Sequence, residues 1–198
     1  MPPLLPEHVQ SDPIGALTAW IDEARATAQP QPTAMALATA GLDGRPSVRM
    51  VFLREWGATG VGWLTDGHSG KARDISERAD VAGVLYWPGL GRQVRIEGSV
   101  RLMDRGAVNA LFARRRPETQ AAAWAWYQGE PLDTRADLIR RLATARADDL
   151  PPGAPPAWVG HRLEPRSIEF WQEDPDGLHD RLLARRGGTG WTVRRLAP

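Results

Sequence analysis

Between Gln93 and Met103 the chain alternates strictly. Val94, Ile96, Gly98, Val100 and Leu102 fall on one face, and Gln93, Arg95, Glu97, Ser99 and Arg101 on the other. A period of two marks a strand with one face in a core, and the polar face is either wet or lines a site. Ser47 to Arg54 follows the same rule, with Val48, Met50 and Phe52 on one side and Arg49, Val51 and Leu53 on the other. Further strands are predicted at 34–40, 60–65 and 79–87, and three or four more at 157–164, 166–173, 180–187 and 190–197. Asp43-Gly44 lies in a hairpin connection between the first two. Many short antiparallel strands with few helices between them imply a closed or nearly closed β-barrel with helical decorations.

Helices complete the outline. Asp12-Pro13 supplies an N-cap and a first-turn proline, and Leu17, Trp20, Ile21 and Ala24 recur at helical spacing, so 13–28 is predicted as an amphipathic helix. A short helix is expected over 69–78, and helical pieces over 104–147 broken near Pro117 and Pro131. Residues 1–12 read as a flexible arm and 13–198 as a single domain.

Several functions are excluded early. The chain has no cysteine, which removes disulfides, thiolate metal sites and cysteine nucleophiles. Its four histidines, His8, His68, His161 and His179, lack metal-ligand spacing, so no metal is expected. Net charge is +1, so any anion site must be local. The triplet Arg114-Arg115-Arg116 has no aromatic stacking platform beside it; such triplets are mostly solvated helix faces, and no nucleic-acid partner is expected. No apolar run is long enough to span a bilayer, so no membrane partner is expected and a cytoplasmic location is the simplest reading.

Thr65-Asp66-Gly67-His68-Ser69-Gly70-Lys71 is a glycine-containing turn opening a helix, and it contains the chain's single lysine. It is no P-loop, because the first glycine is absent and Ala72 follows the lysine. Hydroxyls, free helix N–H groups and an ammonium suit a phosphate, but an ordinary capped helix accounts for the residues equally well. Arg49 likewise faces solvent by default, and facing inward it needs an anion.

Motifs in order along the chain decide between these readings. Ile168-Glu169-Phe170-Trp171, Leu178-His179-Asp180-Arg181 and the terminal Arg195-Leu196-Ala197-Pro198 together resemble the end of the pyridoxamine 5'-phosphate oxidase family. The resemblance extends upstream to about Ala34. Arg49-Met50-Val51-Phe52-Leu53 is similar to the family's arginine-led flavin motif. Thr65, Ser69 and Lys71 match its phosphate-binding turn, Gln93, Gln128, Trp171 and Arg181 match further flavin contacts, and Arg54 and Leu64, which differ from the family residues, complete the expected cofactor set. The resemblance implies a mainly β fold with helices, the antiparallel Greek-key FMN-binding split β-barrel. It also implies a homodimer whose two FMN sites are lined by both subunits. It implies an FMN-dependent oxidase in which a small-molecule substrate delivers a hydride to flavin N5 and O2 reoxidises the flavin to give H2O2.

On the same basis His179 and Arg115 are the expected catalytic residues, and Arg54, Arg115, Thr119 and His179 the expected substrate contacts. The chain departs from the family mostly at substrate positions. A lysine is replaced by Arg54, a phosphate-binding tyrosine by Leu111, a serine by Thr119 and a substrate-ring arginine by Gly177. On the flavin side Gly70 replaces an arginine, Leu64 an aromatic residue and Gly129 a serine. Losing a charge-assisted contact removes about 1.5–3 kcal/mol, roughly tenfold to a hundredfold in affinity. The expected substrate is pyridoxine or pyridoxamine 5'-phosphate, which would place the chain in pyridoxal phosphate biosynthesis. The alternatives are a tailoring oxidase of an aromatic metabolite, as in phenazine-type biosynthesis, and a non-catalytic flavin-binding protein. Val84-Leu85-Tyr86-Trp87 is similar to the phenazine branch.

Overall fold

The computed structural model describes residues 4–198. In chain order its elements are α1 (Glu7–Gln10), α2 (Pro13–Ala26), β1 (Ala34–Ala40), β2 (Pro46–Phe52), β3 (Glu55–Gly57), β4 (Gly60–Asp66), α3 (Gly70–Glu77), β5 (Asp80–Trp87), β6 (Arg92–Leu102), α4 (Arg105–Ala113), α5 (Pro117–Ala125), α6 (Arg135–Ala147), β7 (Trp158–Gln172), β8 (Asp180–Gly187) and β9 (Gly190–Arg195). Asp12 caps α2 as expected, its side chain accepting from the Gly15 amide at 2.8 Å.

The strands form one sheet in the order β2-β1-β5-β6-β7-β4-β3, and β8 and β9 branch from β7. All pairings are antiparallel. The sheet curls until its edges meet. Just past β2, the Arg54 amide donates to the Gly62 carbonyl of β4 at 2.7 Å. The result is a mainly β split barrel with helices on its outside.

The segments 157–164 and 166–173, expected as two strands, are one. β7 runs through Pro165 because different neighbours satisfy its two halves. Trp158 to Leu163 pair with β4 and Ser167 to Gln172 with β8, while β6 follows β7 along almost all its length. The β6–β7 register shifts between Glu97 and Gly98, and Pro165 falls opposite Gly98. A Cβ at Gly98 would lie 2.1 Å from the Glu164 carbonyl oxygen, so only glycine allows this approach. The short strand β3 was not expected from the sequence; it is three residues long and pairs only with β4.

The core lies inside the curl. Met35, Leu37, Leu85, Ile96, Leu163, Ile168 and Phe170 are fully buried, and α2 plugs one opening with Leu17, Trp20 and Ile21. Trp20 meets Phe170 edge-on at 5.1 Å. Each such side chain contributes about 1.5–3 kcal/mol by burial. A second cluster, with Val108, Phe112 and Trp158, packs α4 and α5 against the start of β7. The apolar face of β2 is left exposed: Val48, Met50 and Phe52 are 70%, 58% and 43% accessible. Arg49 and Val51 turn inward, which reverses the usual preference of an arginine for solvent. Among the described residues no helix is long and apolar enough to cross a membrane.

The expectation of a flexible arm over 1–12 differs from the structure for residues 4–12; residues 1–3 lie outside the described residues. Leu4 and Val9 are buried in the main core. The Leu4 amide donates to Asp180 Oδ2 at 2.8 Å, and the Leu4 carbonyl accepts from Arg195 Nη2 at 2.7 Å. Asp180 and Arg195 also pair with each other. Partial burial works against the ionised Asp180, but the Leu4 amide and Arg195 outweigh it and hold the carboxyl below its ordinary range. Because the folded-state pKa is depressed, this contribution to stability is present above the unfolded pKa and is lost as the pH falls through the folded value. Asp180→Asn should cost about 1–2 kcal/mol in urea unfolding at neutral pH, with the difference from wild type fading as the pH falls below the ordinary carboxylate range. A penalty that stays constant on acidification would show that the Asp180 charge does not hold the latch.

Candidate active site

The curl of the sheet leaves a cavity of about 530 Å³ between the end of β2, the end of β4, α3 and the α4–α5 turn. Met50, Val51, Phe52 and Arg54 form one wall. Leu64, Thr65 and Lys71 close one end, with Gln128 reaching in after α5. Arg114, Arg115, Arg116 and Thr119 close the other, against Trp158. Five basic side chains therefore meet on its surface, and among the described residues no aspartate or glutamate lines it. Like charges gathered without a counter-charge favour an anionic ligand.

The lysine end is a preformed network. Lys71 Nζ donates to Thr65 Oγ1 at 2.9 Å and to Gln128 Oε1 at 3.0 Å. Thr65 Oγ1 also lies 3.3 Å from Ser69 Oγ, which in turn donates to the Asp66 carbonyl at 2.7 Å. Asp66 is buried and was not expected from sequence to matter. Its carboxylate accepts from the His68 amide at 2.8 Å and the Gln128 amide at 2.9 Å, which ties Gln128 to the turn. Burial lowers the Lys71 pKa, with Arg49 acting in the same direction and Asp66 against it. Arg49 stands behind this end and does not line the cavity. It donates to Thr39 Oγ1 and Ser47 Oγ, and its guanidinium lies 3.6 Å from Asp74. The inward arginine thus has its anion, although burial still lowers its pKa. Leu53, expected at the flavin, is 2% exposed and its side chain belongs to the core.

The arginine end is less satisfied. Arg115 lies over the Trp158 ring, 4.5 Å from its centroid, and donates through Nη2 to the Thr119 carbonyl at 3.2 Å. Its Nε–H is buried and without an acceptor among the described residues. Burial, and then the neighbouring Arg54, push its pKa down to about 10. Arg114 to Arg116 occupy the turn between α4 and α5 with all three at the cavity; Arg114 and Arg116 are exposed, as the local pattern suggests, and Arg115, singled out by the resemblance, is the one that is half-buried. Nothing in the spacing of the nine tryptophans distinguishes Trp158, which also lines it.

A second group of expected residues lies elsewhere on the chain. Gln93 pairs with Trp171 across β6–β7, and Trp171 with Arg181 across β7–β8, so the three share one face of the sheet. Arg181 is fixed by Glu169, with its Nη2 2.8 Å from the carboxylate. The His179 ring lies 4.9 Å from that of Trp171. None of these four lines the cavity. Between β7 and β8, Gly177 takes a left-handed conformation, φ +79°, and its amide donates to the Asp174 carbonyl at 3.0 Å. The Asp174 amide donates to His179 Nδ1 at 3.1 Å. A backbone N–H can only donate, so Nδ1 is the acceptor and the neutral ring carries its proton on Nε2.

Known proteins share this architecture. Residues 21–147 match the family described as pyridoxamine 5'-phosphate oxidase, and residues 158–198 match the pyridoxine 5'-phosphate oxidase C-terminal dimerisation region. The pyridoxine/pyridoxamine 5'-phosphate oxidase of Sphingopyxis alaskensis is 41% identical over 202 residues, covering 100% of this chain and 93% of that one. PhzG from Burkholderia lata 383, solved with tetrahydrophenazine-1-carboxylic acid, superposes with a TM-score of 0.93 at 34% identity over 100% and 99% of the two chains. An FMN-binding protein related to pyridoxamine 5'-phosphate oxidase, from Nostoc punctiforme, shares the fold with a TM-score of 0.76 at 20% identity over 93% and 96%.

The tautomer of His179 can be read by NMR of 15N-histidine-labelled protein, with His179→Asn identifying its signals. The neutral ring should carry its proton on Nε2; a proton on Nδ1 would mean that the Asp174 contact does not exist in solution.

Proposed function

The chain belongs to the pyridoxamine 5'-phosphate oxidase family, and on that premise we propose that it is a cytoplasmic, homodimeric FMN-dependent oxidase of a small anionic substrate. The observation that carries this reading is the cavity lined, among the described residues, by five cations and no acid. Its two ends differ, as two different anions require. The lysine end, with Thr65, Ser69 and Gln128, suits the FMN phosphate, and Arg49 adds its charge from behind. The arginine end, with Arg54, Arg115 and Thr119, suits the acidic group of the substrate. Met50, Val51 and Phe52 supply an apolar wall for a planar ring. When bound, FMN would supply the hydride acceptor at N5, regenerated by O2 with release of H2O2.

The homodimer reading rests on three observations. The exposed stripe of Val48, Met50 and Phe52 borders the cavity, a dimerisation-region match covers 158–198, and Gln93, Trp171, His179 and Arg181 stand apart from the cavity. A second copy placed on that stripe would bring its own row to the first copy's cavity. Trp171 and Arg181 would then pack against the cofactor, and His179 would offer Nε2–H to the substrate.

Pyridoxine or pyridoxamine 5'-phosphate is the leading substrate, supported by the 41% identity to a relative so named. The second reading, oxidation of an aromatic secondary metabolite, is supported by two positions. Leu111 has no hydroxyl to offer an anion. Gly177 sits in a left-handed turn that an arginine would strain, so the change there is built into the loop.

Anaerobic mixing of the FMN-loaded protein with pyridoxine 5'-phosphate should bleach the visible flavin band, and air should restore it. A flavin that stays yellow with this substrate but bleaches with tetrahydrophenazine-1-carboxylic acid favours the second reading; yellow with both leaves a flavin-binding protein. The combined Lys71→Ala and Arg49→Ala variant should be folded, dimeric and colourless. Stoichiometric FMN in that variant would refute the proposed cofactor site.

A further inference from the structure

Ile168 and Phe170 are buried in the core, so Glu169 and Trp171 share the opposite face of β7. That face carries the row of Gln93, Trp171 and Arg181. A carboxylate on an outer sheet face is ordinarily wet, yet Glu169 is only 7% exposed, because two arginines cover it. Arg181 stands opposite Trp171 on β8 and reaches back diagonally, with Nε and Nη2 both donating to Glu169 Oε1 at 3.1 and 2.8 Å. Arg95 on β6 donates through Nη1 to Glu169 Oε2 at 3.2 Å. Arg95 is held in turn. Its Nη2 donates to Glu97 Oε1 at 2.8 Å, and Glu97 Oε2 accepts from Ser167 Oγ at 3.2 Å. Each oxygen of Glu169 therefore has its own cation, and the carboxylate cannot turn without losing one. Arg181 has a further anchor. Its Nη1 donates to the Ala197 carbonyl at 3.0 Å, and its own carbonyl accepts from the Leu196 amide at 2.9 Å. A guanidinium has five N–H donors. Glu169 and Ala197 take three of them, which leaves two without an acceptor among the described residues.

We propose that Glu169 is a positioning residue for the cofactor site. It holds the Arg181 fork so that the two free N–H groups face oxygen atoms of the FMN in the partner copy's cavity. A long side chain ordinarily loses its freedom when a ligand binds, and that loss weakens binding. Here the fork is held before the cofactor arrives, by a carboxylate that a second arginine keeps in place. Glu169 touches no ligand itself and acts through Arg181 alone. The proposal rests on the reading of Gln93, Trp171 and Arg181 as the row that one copy brings to the other's cavity.

Titration of FMN into the FMN-depleted dimer, followed by quenching of flavin fluorescence, tests it. Glu169→Gln keeps the shape of the side chain and removes its charge. It should weaken FMN binding about tenfold, and Arg181→Ala should weaken it about tenfold to a hundredfold. The combined Glu169→Gln and Arg181→Ala variant should bind FMN as Arg181→Ala does, within about twofold, because the first change has nothing left to act on. A merely structural role would lower thermal stability and multiply the two losses. Multiplied losses, or wild-type affinity in Glu169→Gln, overturn the proposal. Wild-type affinity in Arg181→Ala overturns it as well, and in addition removes the row from the cofactor. One check needs no change at Glu169. In 15N-labelled wild-type holoprotein the Arg181 Nε–H signal, identified by its disappearance in Arg181→Lys, should exchange slowly with water. Fast exchange there would mean that Glu169 does not hold the fork, and the proposal would fall.

Discussion

Everything at the site depends on β7 having three neighbours. A strand in an ordinary sheet has two. Here the first half of β7 holds β4, the second half holds β8, and β6 runs beside both. That arrangement requires a shift in register, and the shift is made possible by the missing side chain of Gly98 opposite Pro165. Its two ends then serve different tasks. Trp158, at the start, supports Arg115 and the cavity; Trp171, near the finish, carries the row of Gln93 and Arg181. A single rigid strand thus sets the spacing between the two groups of functional residues.

Charge organises the cavity as firmly as the sheet organises the backbone. Lys71 and Arg115 are both partly buried and both have depressed pKa values, for the same leading reason, loss of water. They differ in company. Lys71 has Thr65 and Gln128 as uncharged acceptors and Asp66 within reach of its field, whereas Arg115 faces another cation and keeps one N–H without an acceptor among the described residues. A binding anion gains most where protein partners are fewest.

Much of this was legible in the chain, for identifiable reasons. Strands β1, β5 and β6 show in the sequence because their faces alternate between core and water, β2 shows by its period of two although its apolar face is the exposed one, and α2 shows because its cap and its apolar spacing agree. The lysine end was legible only as an ordered set of motifs, since Thr65, Ser69 and Lys71 alone describe any capped helix. Three features were not legible. Local patterning says nothing of partners, so one strand with two sets of neighbours read as two strands. The arginine triplet read as solvated from its local pattern, and only the resemblance picked out Arg115, because no local rule reports that a turn between two helices will face a cavity. The N-terminal segment read as loose because its partners, Asp180 and Arg195, are distant in sequence.

That last contact has a consequence for the order of events during synthesis. Leu4 is held by a residue 176 positions further along the chain. At translation speeds of about 5–20 residues per second, on the order of 10–35 s pass between the appearance of Leu4 and that of its partner. For that interval the apolar side chains of Leu4 and Val9 lack the surface that finally covers them, and the growing chain leaves the ribosome with its first turn unanchored. The N-terminal latch is therefore among the last parts of the molecule to form, and it forms next to His179 and Arg181. Until β8 and β9 have been made, the latch has nothing to close on.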